Sequence, residues 1–176
     1  MLFRSAETVV DLPIVLPPSV AGLALLLAFG RNGVAGPALA VAGVTIPFTT
    51  LAVVIAQVFV ALPFFVRSTR AGLAGVAAEL EEAAELDGAA PAEVARHVSL
   101  PIAAPAIAAG ILLAWARALG EFGATIMFAG SLPGRTQTMP LLVYAELQDS
   151  TDAAVAAAAV LVLAALVVLE IGRAHV

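Results

Sequence analysis

The side chains able to do chemistry are few, and their types and spacing exclude most of it. His97 and His175 are the only imidazoles in the 176 residues, cysteine and lysine are absent, and every base is arginine. Without cysteine there is no thiolate nucleophile, disulfide or cysteine-ligated metal. Without lysine there is no phosphate-binding loop of the NTPase kind. Two histidines so far apart point to neither a zinc site nor a hydrolytic triad, and no metal is expected. Two groupings remain. Arg117 and Glu121 stand i, i+4 in an otherwise apolar stretch, a spacing that puts them on one helical face where they can pair. The other is a spaced pattern: Glu82-Ala83-Ala84, three residues, Gly88, nine residues, then Val98-Ser99-Leu100-Pro101.

The elements that must position these residues are apolar helices. The chain is 62% hydrophobic and 12% charged, against about 45–50% and about 25% in soluble domains. A water-soluble globule is excluded on that ground. Thirteen acids against eight bases, a net charge of -5, also exclude a basic nucleic-acid surface. Four apolar stretches stand out: 12–29, 46–66 and 153–169 match the length of about 17–25 residues that a membrane helix needs, and 100–129 exceeds it. Pro13, Pro17 and Pro18 should kink the first, and Arg117 with Glu121 should bend or break the third. Pro17, Pro18 and Pro63 can be hinges or static kinks. Trp115, deep in the third stretch, is expected to pack in the core.

Between the second and third stretches lies the strongly charged segment 67–97, with six of the 13 acids: Glu79, Glu81, Glu82, Glu85, Asp87 and Glu93. It reads as a solvated loop or helix pair. Gly88 suits the end of a first helix and Pro91 the first turn of a second, so two short helices should meet as a surface knob. His97 falls there as a solvated interface residue. Arg67, Arg70 and Arg96 flank this side against Arg31 and Arg135 on the other, a slight positive-inside bias that places the knob in the cytoplasm.

The spaced pattern resembles the EAA motif of ABC-importer permeases, EAA-x(3)-G-x(9)-I-x-L-P, with Val98 for isoleucine as the one departure. The resemblance implies an all-α polytopic transmembrane helix bundle, the type I importer permease core, with cytoplasmic coupling helices at 67–99. Glu82, Ala83, Ala84, Gly88, Val98, Leu100 and Pro101 would form the motif that docks on a separate ATPase. The residues agree: Leu80, Ala83 and Ala84 make a small apolar ridge suited to a partner's groove, and Gly88 permits a close turn.

Four further strings, LPIVLPPSVAG at 12–22, FGRNG at 29–33, GEFGATI at 120–126 and PGRTQTMPL at 133–141, are similar to the molybdate-importer permeases, with sulfate and tungstate permeases as near relatives. The implied function is the permease subunit of an ATP-driven oxyanion importer in a bacterial or archaeal cytoplasmic membrane. Its implied partners are an ABC ATPase, a second permease copy, an extracytoplasmic oxyanion-binding protein and membrane lipid, with no nucleic acid. No cofactor is bound by this chain, since ATP would be used by the ATPase. A dianion crossing a low-dielectric pore needs hydrogen-bond donors. Thr125, Ser131, Thr136, Gln137 and Thr138 are available near the outer end of the third stretch, either for that anion path or gate or for satisfying local backbone. Arg117 can sit in the anion path or form a buried intramembrane pair with Glu121. The pair is the preferred reading, because a lone arginine in the membrane is costly.

An intramembrane enzyme is the competing class, but Glu121 is the only acid within a stretch. At the ends, Met1 to Ser5 and Glu170 to Val176 read like translated sequencing adapter. Residues 6–169 are therefore expected to be a partial permease domain, with residues 1–5 and 170–176 as scars and the natural chain continuing past both.

Overall fold

The computed structural model describes residues 2–174, and the side chains of residues 8–173. The described residues form helices and connecting turns without a strand. In chain order these are α1 (Leu2–Val15), α2 (Pro18–Phe29), α3 (Gly36–Val41), α4 (Thr50–Ala74), α5 (Ala78–Leu86), α6 (Pro91–Val94), α7 (Leu100–Leu119), α8 (Gly123–Phe128), α9 (Met139–Asp149) and α10 (Thr151–Ala174). A π turn, Ala95–Ser99, joins α6 to α7, so Pro91–Leu119 is one continuous helical rod. Among the described residues three helices are long and apolar enough to cross a membrane: Thr50–Ala74, Pro91–Leu119 and Thr151–Arg173.

The first expected span, 12–29, is divided. Pro17 holds an extended ψ of 135° at the N-cap of α2, because a residue before proline is pushed out of the helical region, and Pro17 precedes Pro18. The 12-residue α2 is about 18 Å long, well short of the roughly 30 Å hydrocarbon layer. The third expected span, 100–129, is shifted. Its helix starts earlier, at Pro91, ends at Gly120 and resumes as α8. The second begins at Thr50, where Thr49 caps α4 by accepting from the Ala52 N–H at 3.3 Å, and runs on through Arg67 and Arg70 to Ala74. The fourth, α10, runs from Thr151 to Ala174.

The tightest packing is antiparallel, α4 against α7, and it relies on small residues. A Cβ on Gly110 would lie 2.9 Å from Ser68 Cβ and 3.1 Å from the Phe65 carbonyl, and one on Gly72 would overlap the Ala106 methyl. Close approach of this kind is what holds helices together where lipid supplies no hydrophobic drive. Ser68 Oγ donates to the Ala106 carbonyl at 2.8 Å, and Gln57 Nε2 to the Ala118 carbonyl at 3.3 Å. The core itself lies where α2, α4 and α8 meet, around Leu25, Ala52, Ala56, Val60, Ala124 and Phe128. Trp115 is not part of it. Trp115 is 51% exposed on the outer face of α7, because α4 and α10 occupy the other faces of that helix.

Candidate functional site: an exposed knob and a buried charge node

The knob is built from α5, a turn and α6. Alanine, leucine and glutamate favour helix throughout 78–86, and Glu79 and Glu81 in the first turn suit the positive end of its dipole. The helix ends in a Schellman turn. The Ala89 N–H reaches the Ala84 carbonyl at 3.0 Å and the Gly88 N–H the Glu85 carbonyl at 3.0 Å, with Gly88 at φ 92°. Only a residue without Cβ adopts that angle cheaply. Pro91 opens α6, and Glu93 Oε2 accepts from the Ala90 N–H at 2.9 Å.

Of the motif residues, Glu82, Ala83 and Gly88 are exposed and Ala84 and Val98 half-buried, while Leu100 and Pro101 are exposed at the foot of α7. The sequence pattern thus converges on one end of the molecule. No residue of α5 is buried. Leu80 is half exposed on one face with Ala83 and Ala84, and Leu86 is 89% exposed at the end of the helix, so the knob presents an apolar ridge within an acidic surface. His97 is exposed, its Nδ1 3.1 Å from the Glu93 carbonyl, and His175 lies outside the described residues.

At the opposite end of α7 the helix stops at Gly120 and the chain turns through Glu121 into α8. Glu121 is 1% exposed. Its Oε2 lies 2.7 Å from Arg117 Nη1, and its Oε1 accepts the Ala124 N–H at 2.7 Å. One carboxylate therefore neutralises an arginine and caps the first turn of α8, which fixes the break between the two helices. Arg117 is 27% exposed on its side chain and so opens partly outward from the node.

The candidate hydroxyls divide into two kinds. Thr136 Oγ1 accepts the Leu132 N–H at 3.0 Å and so satisfies its own loop. Thr125 on α8, with Ser131 and Thr138 on the following loop, have buried hydroxyls with no hydrogen-bond partner within the chain. No hydrogen bond joins these three to one another. Gln137 is half-buried in the same loop. Arg135 contributes its backbone, whose carbonyl accepts from Thr50 Oγ1 at 3.1 Å. Among the described residues no group of three histidine or acidic side chains could hold a metal ion.

Glu81 and Ser99 were not separated from their surroundings by the sequence. Ser99 is 8% exposed, and its Oγ donates to Glu81 Oε1 at 2.5 Å. The available signal was Pro101: lacking an N–H, it leaves the His97 carbonyl without its helical donor, which announces an irregular turn just before α7.

Comparison with known proteins agrees with this architecture. The chain is 49% identical over 172 residues to the molybdenum transport system permease protein ModB of Mycobacterium tuberculosis, covering 97% of this chain and 65% of that protein. It is 43% identical over 173 residues to the probable transport system permease protein NifC of Clostridium pasteurianum, with 98% and 60% covered. The sulfate transport system permease protein CysT of Salmonella typhimurium is 38% identical over 159 residues, with 90% and 57% covered. The chain thus spans somewhat less than two thirds of the length of these relatives. A family model described as the binding-protein-dependent transport system inner membrane component matches residues 2–176, and the chain belongs to that family.

Proposed function

We propose that this chain is part of the permease subunit of an ATP-driven oxyanion importer, with molybdate as its substrate. The observation that carries the reading is the knob: a helix with no buried residue, an apolar ridge and a Gly88 turn, placed between two membrane-length helices. Such a surface suits the groove of a separate ATPase. In a homodimer, closure of two ATPases on ATP would move α5 and α6 on each permease and tilt α7, opening the path to an anion delivered by an extracytoplasmic binding protein. The knob would then face the cytoplasm of a bacterium or archaeon. This chain binds no ATP in that scheme.

The unpartnered hydroxyls of Thr125, Ser131 and Thr138 are the groups we assign to the anion path, since each is buried and has a donor to offer. Arg117 is assigned to the pair with Glu121. Molybdate is preferred because the molybdenum permease relative is 49% identical; sulfate is the second reading, favoured by the 38% identity to the sulfate permease. The test is uptake of labelled molybdate, tungstate and sulfate by vesicles containing the full-length permease, its ATPase and its binding protein. Molybdate uptake that needs ATP and resists excess sulfate is expected. ATP-dependent sulfate uptake unaffected by molybdate would overturn the substrate, and absence of uptake for all three would overturn the function.

A further inference from the structure

We infer that Glu81 and Ser99 form a joint that locks α5 to the foot of α7, which makes them positioning residues for the coupling step. The inference rests on the coupling reading above and adds residues outside the spaced pattern's named positions. α5 needs such a lock. None of its residues is buried, and it is entered through the short segment after Gly75 and left through Gly88. Pushed by a partner, a helix so lightly packed would pivot at these ends, and the push would not reach the membrane.

The backbone explains why Ser99 is free to hold it. A helical serine ordinarily turns its hydroxyl back to the carbonyl four residues earlier, here Ala95. In the π turn that carbonyl accepts the Leu100 N–H, and the Ser99 hydroxyl donates to the Glu81 carboxylate and not to its own turn. The π turn has its own cause in Pro101, which cannot donate to His97. The proline fault thus creates the widened turn, the turn releases the serine, and the serine captures the coupling helix. Val94, buried beside the turn, packs the same corner. A hydrogen bond to a carboxylate is stronger than one between neutral groups, so α5 and the foot of α7 should move as one body.

The experiment uses the full-length permease assembled with its ATPase and binding protein in vesicles. Ser99→Ala and Glu81→Ala should each lower oxyanion uptake per ATP hydrolysed by about tenfold or more, the loss of one hydrogen bond to a charged group. Co-purification of the ATPase and the rate of ATP hydrolysis should be unchanged. The double variant should be no worse than either single, and Ser99→Thr or Glu81→Gln, which keep a donor or an acceptor, should restore most of the coupling. A structural role alone would not move uptake per ATP while leaving assembly intact. Spin labels at Glu79→Cys and Ile102→Cys give a second measurement: a narrow distance that ATP does not change, broadened by Ser99→Ala. A distance that shifts with ATP in the otherwise unaltered protein, or one indifferent to Ser99→Ala, overturns the joint. If the unaltered permease neither holds the ATPase nor takes up oxyanion, the coupling reading fails and the transmission role with it. If it does both and Ser99→Ala leaves uptake per ATP unchanged, the joint alone is wrong.

Discussion

The two ends of α7 treat the same side chain in opposite ways. At the α8 end, Glu121 is buried, paired with Arg117 and bonded to the Ala124 N–H, so its charge is answered within the chain. At the α5 end, Glu79, Glu82 and Glu85 are exposed on a helix that buries nothing. The first end is closed by its own residues and the second is left open to a partner. Stability should therefore be concentrated at the α8 end and coupling at the knob, and substitutions should separate the two.

The largest effect is expected at the charge node. Arg117→Leu or Glu121→Leu leaves an uncompensated charge in a low-dielectric setting and should cost roughly 3–5 kcal/mol, whereas the double change should cost much less. Thermal unfolding of the detergent-solubilised full-length permease measures this, with Glu82→Leu at the knob as the control that should leave stability unchanged. Equal losses at the two positions would erase the contrast between the ends. Uptake refines the result: normal stability of Arg117→Leu with no transport would move Arg117 from the pair into the anion path.

A smaller loss is expected where α8 packs on α2. A Cβ on Gly22 would lie 2.6 Å from the Ala124 carbonyl and 2.8 Å from Met127 Cβ. Gly22→Ala forces the two backbones apart, at about 1–3 kcal/mol for overpacking, seen as a lower melting temperature and reduced assembly. Gly88 offers the matched case at the other end. Its Cβ would meet nothing within 4 Å, so Gly88→Val suffers only from its φ of 92°, on the order of 1 kcal/mol. Membrane insertion and melting should be nearly preserved while ATP-driven uptake falls. Normal uptake by this variant would remove the knob from the coupling path.

The smallest effect concerns α1, which precedes the long helices. Arg67 Nε donates to Asp11 Oδ1 at 2.9 Å. That hydrogen bond, aided by the attraction of Arg67 and Arg70 and opposed by desolvation, holds the Asp11 carboxyl below its ordinary value. A carboxyl depressed in the folded state contributes stability that is present above the unfolded value, near 4, and is lost as pH falls through the folded one. Asp11→Asn should therefore melt slightly lower than the parent at neutral pH, and the difference should vanish on acidification. A difference that persists at low pH would assign the effect to packing. The Arg67 and Asp11 side chains are 59% and 37% exposed, so the shift should be small and salt-sensitive.

The sequence displayed some of these features directly and left others out. Pro17-Pro18 promised a kink, yet the outcome is a full break that shortens α2 to 12 residues. The break is local in origin, since Pro18 pushes Pro17 out of the helical region. Glu121 and Arg117 were visible as neighbours on one face, but the Ala124 N–H that completes the node comes from a turn whose direction follows the packing of α8 on α2. The hydroxyls were legible as candidates only. A threonine's partner is whichever carbonyl or amide the fold presents to it, which is why Thr136 is satisfied and Thr125 is not.

Composition and patterning by themselves determined the all-helical architecture, the long apolar helices, the charged segment between them and the Gly88 turn. Each follows from forces acting over one or two helical turns: the exclusion of charge from lipid, helix propensity, and the φ that only glycine adopts easily. Tertiary structure alone decided that Trp115 faces outward, that Glu121 also takes the Ala124 N–H, and that Ser99 reaches Glu81 across 18 residues of chain. These are contacts between segments distant in sequence, and their energies depend on the distances and angles at which the packed helices present one group to another.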